Sequence, residues 1–386
     1  MLIAAGVFSL CIWAYLVLGR GGFWRIYPAA PDLSRQGDTV RIAVIVPARN
    51  EADVVGRAVR SLLQQTGGNA IHIFLVDDAS SDATAPAARA AAIAEGRDLS
   101  LTIVSGSTLP AGWSGKLWAM QQGIVQAVAT APDFFLFTDA DIEHSPDSIS
   151  TLVSIVQAGP YDMASFMVKL YCRSMAEKIL IPAFVYFFFK LYPPAWIANP
   201  RHPGAGAAGG CILIRPAALA SAGGIAAIRH EVIDDCSLAA KVKGTGARLW
   251  LGASATTRSI RPYEGVSGIG RMISRSAFSQ LRHSGFLLLL SIAGMAVTYL
   301  LPPALVLMGH HRAPVTLGLV AWFLMVLSYV PVLRLYRLSP LWAMALPLAA
   351  IFYVGATLHS AWKYWRGRGG EWKGRIQDPM EKRQDS

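Results

Sequence analysis

The chain has 386 residues, 53% of them hydrophobic and only 15% charged, with a mean hydropathy of +0.40, which is too apolar for an ordinary soluble domain. Its formal net charge is +11, but the basic residues flank apolar blocks and form no stripe interleaved with stacking aromatics. That argues against nucleic acid as a partner and for a membrane surface and phosphate groups. Cys11, Cys172, Cys211 and Cys236 show no CxxC spacing, so they read as small reduced core residues and not as a metal or redox site.

Leu2 to Leu18 carries no charge, and Arg20, Arg25, Arg35 and Arg41 follow. No basic region precedes the stretch and no small-x-small cleavage site comes before Arg20, so residues 1–20 read as a retained anchor. The arginines after it put the next domain in the cytoplasm. That domain is expected over residues 41–284. Arg41 to Pro47 reads as a buried strand, Ala52 to Leu63 as a helix, His72 to Asp78 as a strand and Ala83 to Glu95 as a helix. Leu101 to Val104, Leu117 to Ala129 and Phe134 to Phe137 continue as strand, helix and strand. The alternation predicts an α/β fold with a Rossmann-like, mostly parallel sheet. Ligands of such sheets sit beyond the carboxyl ends of the strands, where the acidic clusters fall.

Ile179 to Phe189, between Lys178 and Lys190, is an aromatic run of eleven residues, too short to span a bilayer. It reads as part of an interfacial segment over 175–198, with a buried core helix as the alternative. Three uncharged stretches follow, Phe286 to Met308, Ala313 to Leu333 and Leu338 to Leu358, each long enough to cross. They make up a C-terminal membrane region over 286–360, with a basic polar tail over 361–386. Three crossings would leave the tail outside, yet Lys363, Arg366, Arg368, Lys373 and Arg375 favour inside. Pro302 and Pro303 in the first stretch, and Pro347 in the third, mark both as candidates for re-entrant or interfacial segments.

Four acidic motifs carry the chemistry. In VPARNEADVV, a strand turns at Pro47, Ala48 and Asn50, and Glu51 begins a helix whose exposed amides suit a nucleotide. In VDDASSDAT, Asp77 and Asp78 end a strand and offer acceptors to a base or ribose; Ser80, Ser81 or Asp82 would cap the next helix, which leaves Asp77 unexplained. In FTDADIEHSPDSI, Asp139 and Asp141 flank one alanine, and an extended segment would point both carboxylates to one side, where they can hold a hard divalent cation. In EVIDDCSLAAKVKGTG, Asp234 and Asp235 open a helix, and either could serve as general base or as a cap. Lys116 in WSGKLWAMQQG suits a phosphate, and the glycines of PGAGAAGGC allow close backbone approach to a sugar. His202 and His230 bracket that run and read as structural.

Taken in order, VPARNE, VDDASSD, the lysine of SGK, TDAD, the glycine run into CILIRP, and VIDD followed by leucine resemble the inverting family 2 glycosyltransferases with a GT-A fold, over about Arg41 to Ser284. The resemblance implies a nucleotide-sugar donor, with uridine usual at the second motif. It implies Mg²⁺ or Mn²⁺ and the donor diphosphate at Asp139 and Asp141. It also implies that the base is the second member of the acidic pair, Asp235, with Asp234 replacing the usual glutamate. The family's Gln/Arg-x-x-Arg-Trp motif is matched by Arg271 and Arg275 in GRMISRSAF, without the tryptophan, which weakens processive polymer synthesis. The layout of anchor, domain and C-terminal segments is similar to ceramide glucosyltransferase-like lipid enzymes, as is the tail GGEWKGR with Trp372, Lys373 and Arg375. The nearest resemblance is to the hopanoid-associated branch of bacterial enzymes, which implies a lipid-like acceptor and the bacterial inner membrane. Two alternatives stand beside this reading: a sugar nucleotidyltransferase, which would want a Gly-rich basic loop after the first strand that VPARNEAD lacks, and a non-catalytic membrane protein with a decayed transferase domain, which loss of a carboxylate would signal, whereas Asp78, Asp139, Asp141 and Asp235 are present.

Overall fold

The computed structural model describes residues 2–26, 39–372 and 375–378. Arg35 and Lys373, used above for topology and for the tail, lie outside the described residues.

The α/β alternation holds through the first half. Strands β1 (Arg41–Ala48), β2 (Ala70–Asp77), β3 (Leu101–Ser105) and β4 (Phe134–Thr138) alternate with helices α2 (Val55–Leu63), α3 (Thr84–Ala94) and α4 (Gly115–Val128), behind the N-terminal α1 (Leu2–Ala14). Then come β5 (Ile142–Glu143), α5 (Ser148–Ala158), β6 (Met163–Lys169), α6 (Met175–Leu191), α7 (Pro194–Ala198), β7 (Cys211–Ile214), α8 (Pro216–Ser221), α9 (Asp234–Gly244) and β8 (Leu249–Ser259). The eight strands form one sheet in the order β3-β2-β1-β4-β7-β6-β8-β5. β1, β2, β3 and β4 are mutually parallel, β6 is parallel to β8, and β7 and β5 run against their neighbours. Strand order reverses between β1 and β4, so the crevice of an open α/β sheet falls at their carboxyl ends.

β1 is buried from Ile42 onward because the sheet is covered on both faces. One apolar core lies under α2, α3 and α5; the other joins α4, α6 and α9 to the C-terminal helices. Helix α2 starts at Val55, not at Glu51 or Ala52: the Glu51 carbonyl accepts from the amides of Val54 and Val55, and Glu51 stays in the turn.

The C-terminal half continues with α10 (Gly265–Ser274), α11 (Ala277–Gln280), α12 (Gly285–Met295), α13 (Leu301–Met308), α14 (Arg312–Leu335) and α15 (Leu346–Trp365). Among the described residues, five helical runs are long and apolar enough to cross a membrane: Leu2–Gly19, Met175–Ala198, Gly285–Met308, Arg312–Leu335 and Pro340–Trp365. Pro302 and Pro303 do not end the third run. They fall in the first turn of α13, where a missing amide costs least, after a wider helical turn over Ala296–Leu300. The eleven-residue segment is also longer than its apolar core. Ser174 and Glu177 form a capping box that starts α6 at Met175, and Ile181, Tyr186 and Phe189 are buried.

α1 and α6 join the C-terminal helices in one helical unit. Trp13 Nε1 donates to the Thr298 carbonyl at 2.8 Å, Tyr186 and Ser328 share a hydrogen bond of 2.7 Å, and Tyr353 Oη donates to the Leu180 carbonyl at 3.0 Å.

Helix α4 approaches the sheet through Gly123, where an added Cβ would lie 2.8 Å from Ile45 Cγ2 and 3.0 Å from Val76 Cγ2. Gly123→Val should therefore cost about 1–3 kcal/mol through overpacking, seen as a lower melting temperature in detergent. Gly294→Ala, in α12 where a Cβ meets nothing within 4 Å, should not lower the melting temperature. Equal melting of both variants with the parent chain would contradict this packing.

Candidate active site

The site is built around Lys116. Ser114 caps α4, its side chain accepting from the Leu117 amide, and so puts Lys116 in the first turn, pointing over the end of β4. Its Nζ lies 2.9 Å from Asp139 Oδ1 and 3.0 Å from Asp234 Oδ2. Burial works against the charge of Lys116, but the two carboxylates outweigh it and hold its pKa well above the usual lysine range. Lys116 thus links the third and fourth acidic motifs.

Asp234 and Asp235 form the first turn of α9, and neither acts as its cap, since the N-cap residue is Ile233. Burial would raise Asp234, but Lys116 beside it wins and holds it below the usual carboxylate range. Asp235 lacks such a partner. Its Oδ2 accepts from the Gly209 amide at 2.8 Å and its Oδ1 from the Cys236 amide at 2.7 Å. Burial, and then the negative charge of Asp234, push Asp235 up to about 6. A Cβ at position 209 would lie 3.3 Å from Asp235 Oδ2, so the glycine run is what lets this amide reach the carboxylate.

Asp139 and Asp141 do not lie in an extended segment, as their spacing suggested. β4 ends at Thr138, and the Ile142 amide donates to the Asp139 carbonyl, closing a turn. The carboxylates still influence each other: burial, and then Asp139, push Asp141 up to about 6, while Ser259 Oγ donates to its Oδ2 at 2.9 Å. The turn is held from behind by His144. Thr138 Oγ1 donates to the Gly210 carbonyl, so His144 Nε2 is assigned as the donor to Thr138 and Nδ1 faces Ser148. Burial pushes His144 down to about 4, which keeps it neutral and structural.

At the ends of β1 and β2, Asn50 and Ala79 have positive φ of 53° and 54°. Asn50 tolerates this; at Ala79 it is strain of the kind found at functional sites. Asn50 Oδ1 accepts from the Ser81 amide at 2.8 Å, and the Asn50 amide donates to Ser80 Oγ at 3.0 Å, which locks the two turns together. Asp77 Oδ1 accepts from the Ser80 amide, so a turn role does account for it. The Ala48 carbonyl is taken by the Asp78 amide. Asp78 is buried beside Arg49, whose Nη1 donates to the Asp78 carbonyl at 2.6 Å and lies 3.6 Å from its Oδ2. Arg49 and Arg261 were not singled out from the sequence, because single arginines in loops carry no periodic signal. Arg261 pairs with Glu51 and lies 4.0 Å from Asp141.

Of Arg271 on α10 and Arg275 just after it, Arg275 is the one that reaches the site. It lines the same cavity as Asp234 and Asp235 and helps hold Asp234 down. Arg271 is exposed and pairs with Glu264, two turns back on its own helix. His202 stacks on Trp196 and accepts from the Gly204 amide, and His230 sits with Glu231 on the surface.

Pro47, Lys116, Asp139, Gly209, Asp234 and Asp235 line one cleft at the switch point. A second cavity, of about 350 Å³, starts at Asp234, Asp235 and Arg275 and runs between α6, α12 and α15, past Phe187, Met295 and Tyr353. The acidic pair lines both.

Residues 43–220 match the profile described as glycosyl transferase family 2. Over 129 residues the chain is 33% identical to a 4,4'-diaponeurosporenoate glycosyltransferase of Staphylococcus haemolyticus, covering 33% of this chain and 32% of that protein. Over 123 residues it is 32% identical to an uncharacterized protein of Methanocaldococcus jannaschii, covering 32% of this chain and 44% of that one. The match thus spans less than half the length of either relative. Among solved structures, a mannosyltransferase from Pyrobaculum calidifontis in complex with GDP-Man and Mn²⁺ aligns over 94% of this chain and 99% of its own, with a TM-score of 0.58 and 19% identity. At that identity the likeness speaks for the fold. The profile match over residues 43–220 agrees with the motif order, and the chain has a mixed, mostly parallel α/β sheet with a GT-A-like fold.

Proposed function

We propose that the chain is a membrane-bound glycosyltransferase that moves a sugar from a nucleoside-diphosphate donor, of the UDP-sugar type, to a hydroxyl of a lipid-like acceptor with inversion. The observation that carries this reading is the acidic pair shared by a narrow cleft at Lys116 and Asp139 and a larger, mostly apolar cavity that runs between α6, α12 and α15. The cleft suits the donor and the cavity suits an amphipathic acceptor. The uncharged helices and the basic residues beside them favour the inner membrane with the catalytic domain on the cytoplasmic side. A hopanoid or other glycolipid role rests on the sequence resemblance. A nucleotidyltransferase is disfavoured by the apolar cavity, and a decayed domain by four carboxylates kept together around Lys116.

In the transfer, the acceptor oxygen bonds to the anomeric carbon from the face opposite the leaving group as the bond to the diphosphate oxygen breaks. Asp235 takes the hydroxyl proton. Asp234 is a poor base because Lys116 neutralises it, whereas Asp235 accepts from two backbone amides, forms no ion pair with Lys116, and has a raised pKa. Arg275 and Lys116 offset charge near the leaving diphosphate.

Asp139 and Asp141 would hold Mg²⁺ or Mn²⁺. The fit rests on hard oxygen donors and on unbalanced charge, since Asp141 is raised by its own burial and by Asp139. Among the described residues no group of three or more His, Cys, Asp or Glu could hold a metal alone, so donor oxygens would complete the shell. When bound, the cation supplies Lewis-acid stabilisation of the leaving group.

Asp235→Asn should lower the transfer rate about 10²–10⁴-fold with donor affinity little changed. In the parent chain, the rate at saturating donor and cation should fall as pH drops through about 6, because the base loses its proton-accepting form. Normal transfer by Asp235→Asn together with loss in Asp234→Asn would move the base by one residue.

Asp139→Ala should abolish turnover and weaken donor binding while the domain stays folded by circular dichroism. Excess EDTA should stop the parent chain; full turnover in EDTA would refute the metal assignment.

A further inference from the structure

The donor-site reading gives no role to Arg261, beside the acidic turn after β4. Arg261 lies just beyond β8. Pairing of Ile142 with Ser259, and the Ile260 amide donating to the Asp141 carbonyl at 2.9 Å, fix its backbone beside the acidic turn. Its guanidinium pairs with Glu51 in the β1 turn, lies 3.6 Å from Asp53, and brings Nε to 4.0 Å from Asp141 Oδ2. Arg261 thus links the first motif to the third. Its side chain is 36% exposed, against 12% for Glu51 and 22% for Asp141, so it is freer to move than either of those two carboxylates. A guanidinium fork fits the oxygens of a phosphate as well as those of a carboxylate.

We propose that Arg261 is an exchangeable ligand of the donor site: in the empty cleft it holds Glu51 and Asp141, and on loading it turns to the diphosphate of the donor and releases Asp141 to a divalent cation. This rests on the reading of the cleft as a donor site. The exchange keeps charges paired at both stages, since the guanidinium trades carboxylate oxygens for phosphate oxygens while the cation replaces it at Asp141. A purely structural strap across the cleft would behave differently, because its loss would loosen the site for every ligand alike.

The test uses the full chain in detergent and two calorimetric titrations, one with MnCl₂ and no nucleotide, the other with UDP or GDP in EDTA. Arg261→Ala should bind Mn²⁺ about two- to fivefold more tightly, as expected for removal of a part-exposed competing charge. It should bind the metal-free nucleoside diphosphate about tenfold or more weakly, as expected for loss of a charged hydrogen-bond donor. Arg261→Lys, which keeps the charge but not the fork, should leave Mn²⁺ binding near the parent value and weaken the nucleotide by a smaller factor. If both affinities of Arg261→Ala fall together, or neither moves, the proposal is overturned. Should the alanine variant not fold, unchanged nucleotide binding by Arg261→Lys overturns it instead. A parent chain that binds neither Mn²⁺ nor nucleoside diphosphate overturns the donor-site reading itself, and this proposal with it.

Discussion

One lysine holds the polar half of this site together. Asp139, Asp141, Asp234 and Asp235 crowd the carboxyl ends of the central strands, and Lys116 bridges the first and third of them at 2.9 and 3.0 Å. Two unit charges 4 Å apart interact by about 4 kcal/mol at the effective dielectric of a protein site, so such a cluster is tolerated only with a cation inside it. Taking one partner from a buried pair typically costs about 3–5 kcal/mol, because the other charge stays buried. The bridge also joins α4, the turn after β4 and the start of α9, which are distant in sequence. Its position is set by two local features, the Ser114 cap and the close seat of Gly123 on the sheet.

A second constraint comes from the apolar helices. Polar groups placed among them must find partners, since an unmet hydrogen bond in an apolar setting is costly. Trp13 with Thr298, Tyr186 with Ser328 and Lys190 with Tyr299 meet this need across different helices. Such pairs fix which helix faces meet, a task that apolar packing alone does poorly when the surroundings are equally apolar. The result ties the N-terminal helix and α6 to the C-terminal cluster, and leaves the cavity between α6, α12 and α15 with its polar end at the acidic pair.

The sequence was most legible where the signal is local. The first four strands and the helices between them followed from alternation, with ends shifted by a residue or two, apart from α2, whose start moved three residues to Val55. β7 escaped notice because it has only four residues, and β8 because SATTRS carries no apolar pattern. The longer α6 was available in principle, since Ser174 and Glu177 have capping-box spacing. Arg271 and Arg275 looked equivalent by spacing; the Glu264 seven residues before Arg271 is what separates them. Arg49 and Arg261 carried no signal. Arg261 acquires its partner Glu51 only when strands far apart in the chain close into one sheet.

The acidic pair shows why spacing alone stops short of chemistry. Two aspartates in one helical turn point about 100° apart, and nothing in VIDDCSL says which carboxylate meets a cation and which stays free. The decision is made elsewhere, by a lysine on α4 and a glycine before β7. Lys116 takes Asp234 and fixes it in the charged form. Gly209, with no Cβ to keep its amide away, supports Asp235 without neutralising it. Because amide donors favour the carboxylate only in part, burial and the charge of Asp234 still raise Asp235 toward neutrality. Adjacent, chemically identical residues are thereby driven apart, one toward permanent charge and the other toward proton exchange. That division favours a base at Asp235, and it depends on the glycine at 209 as much as on either aspartate.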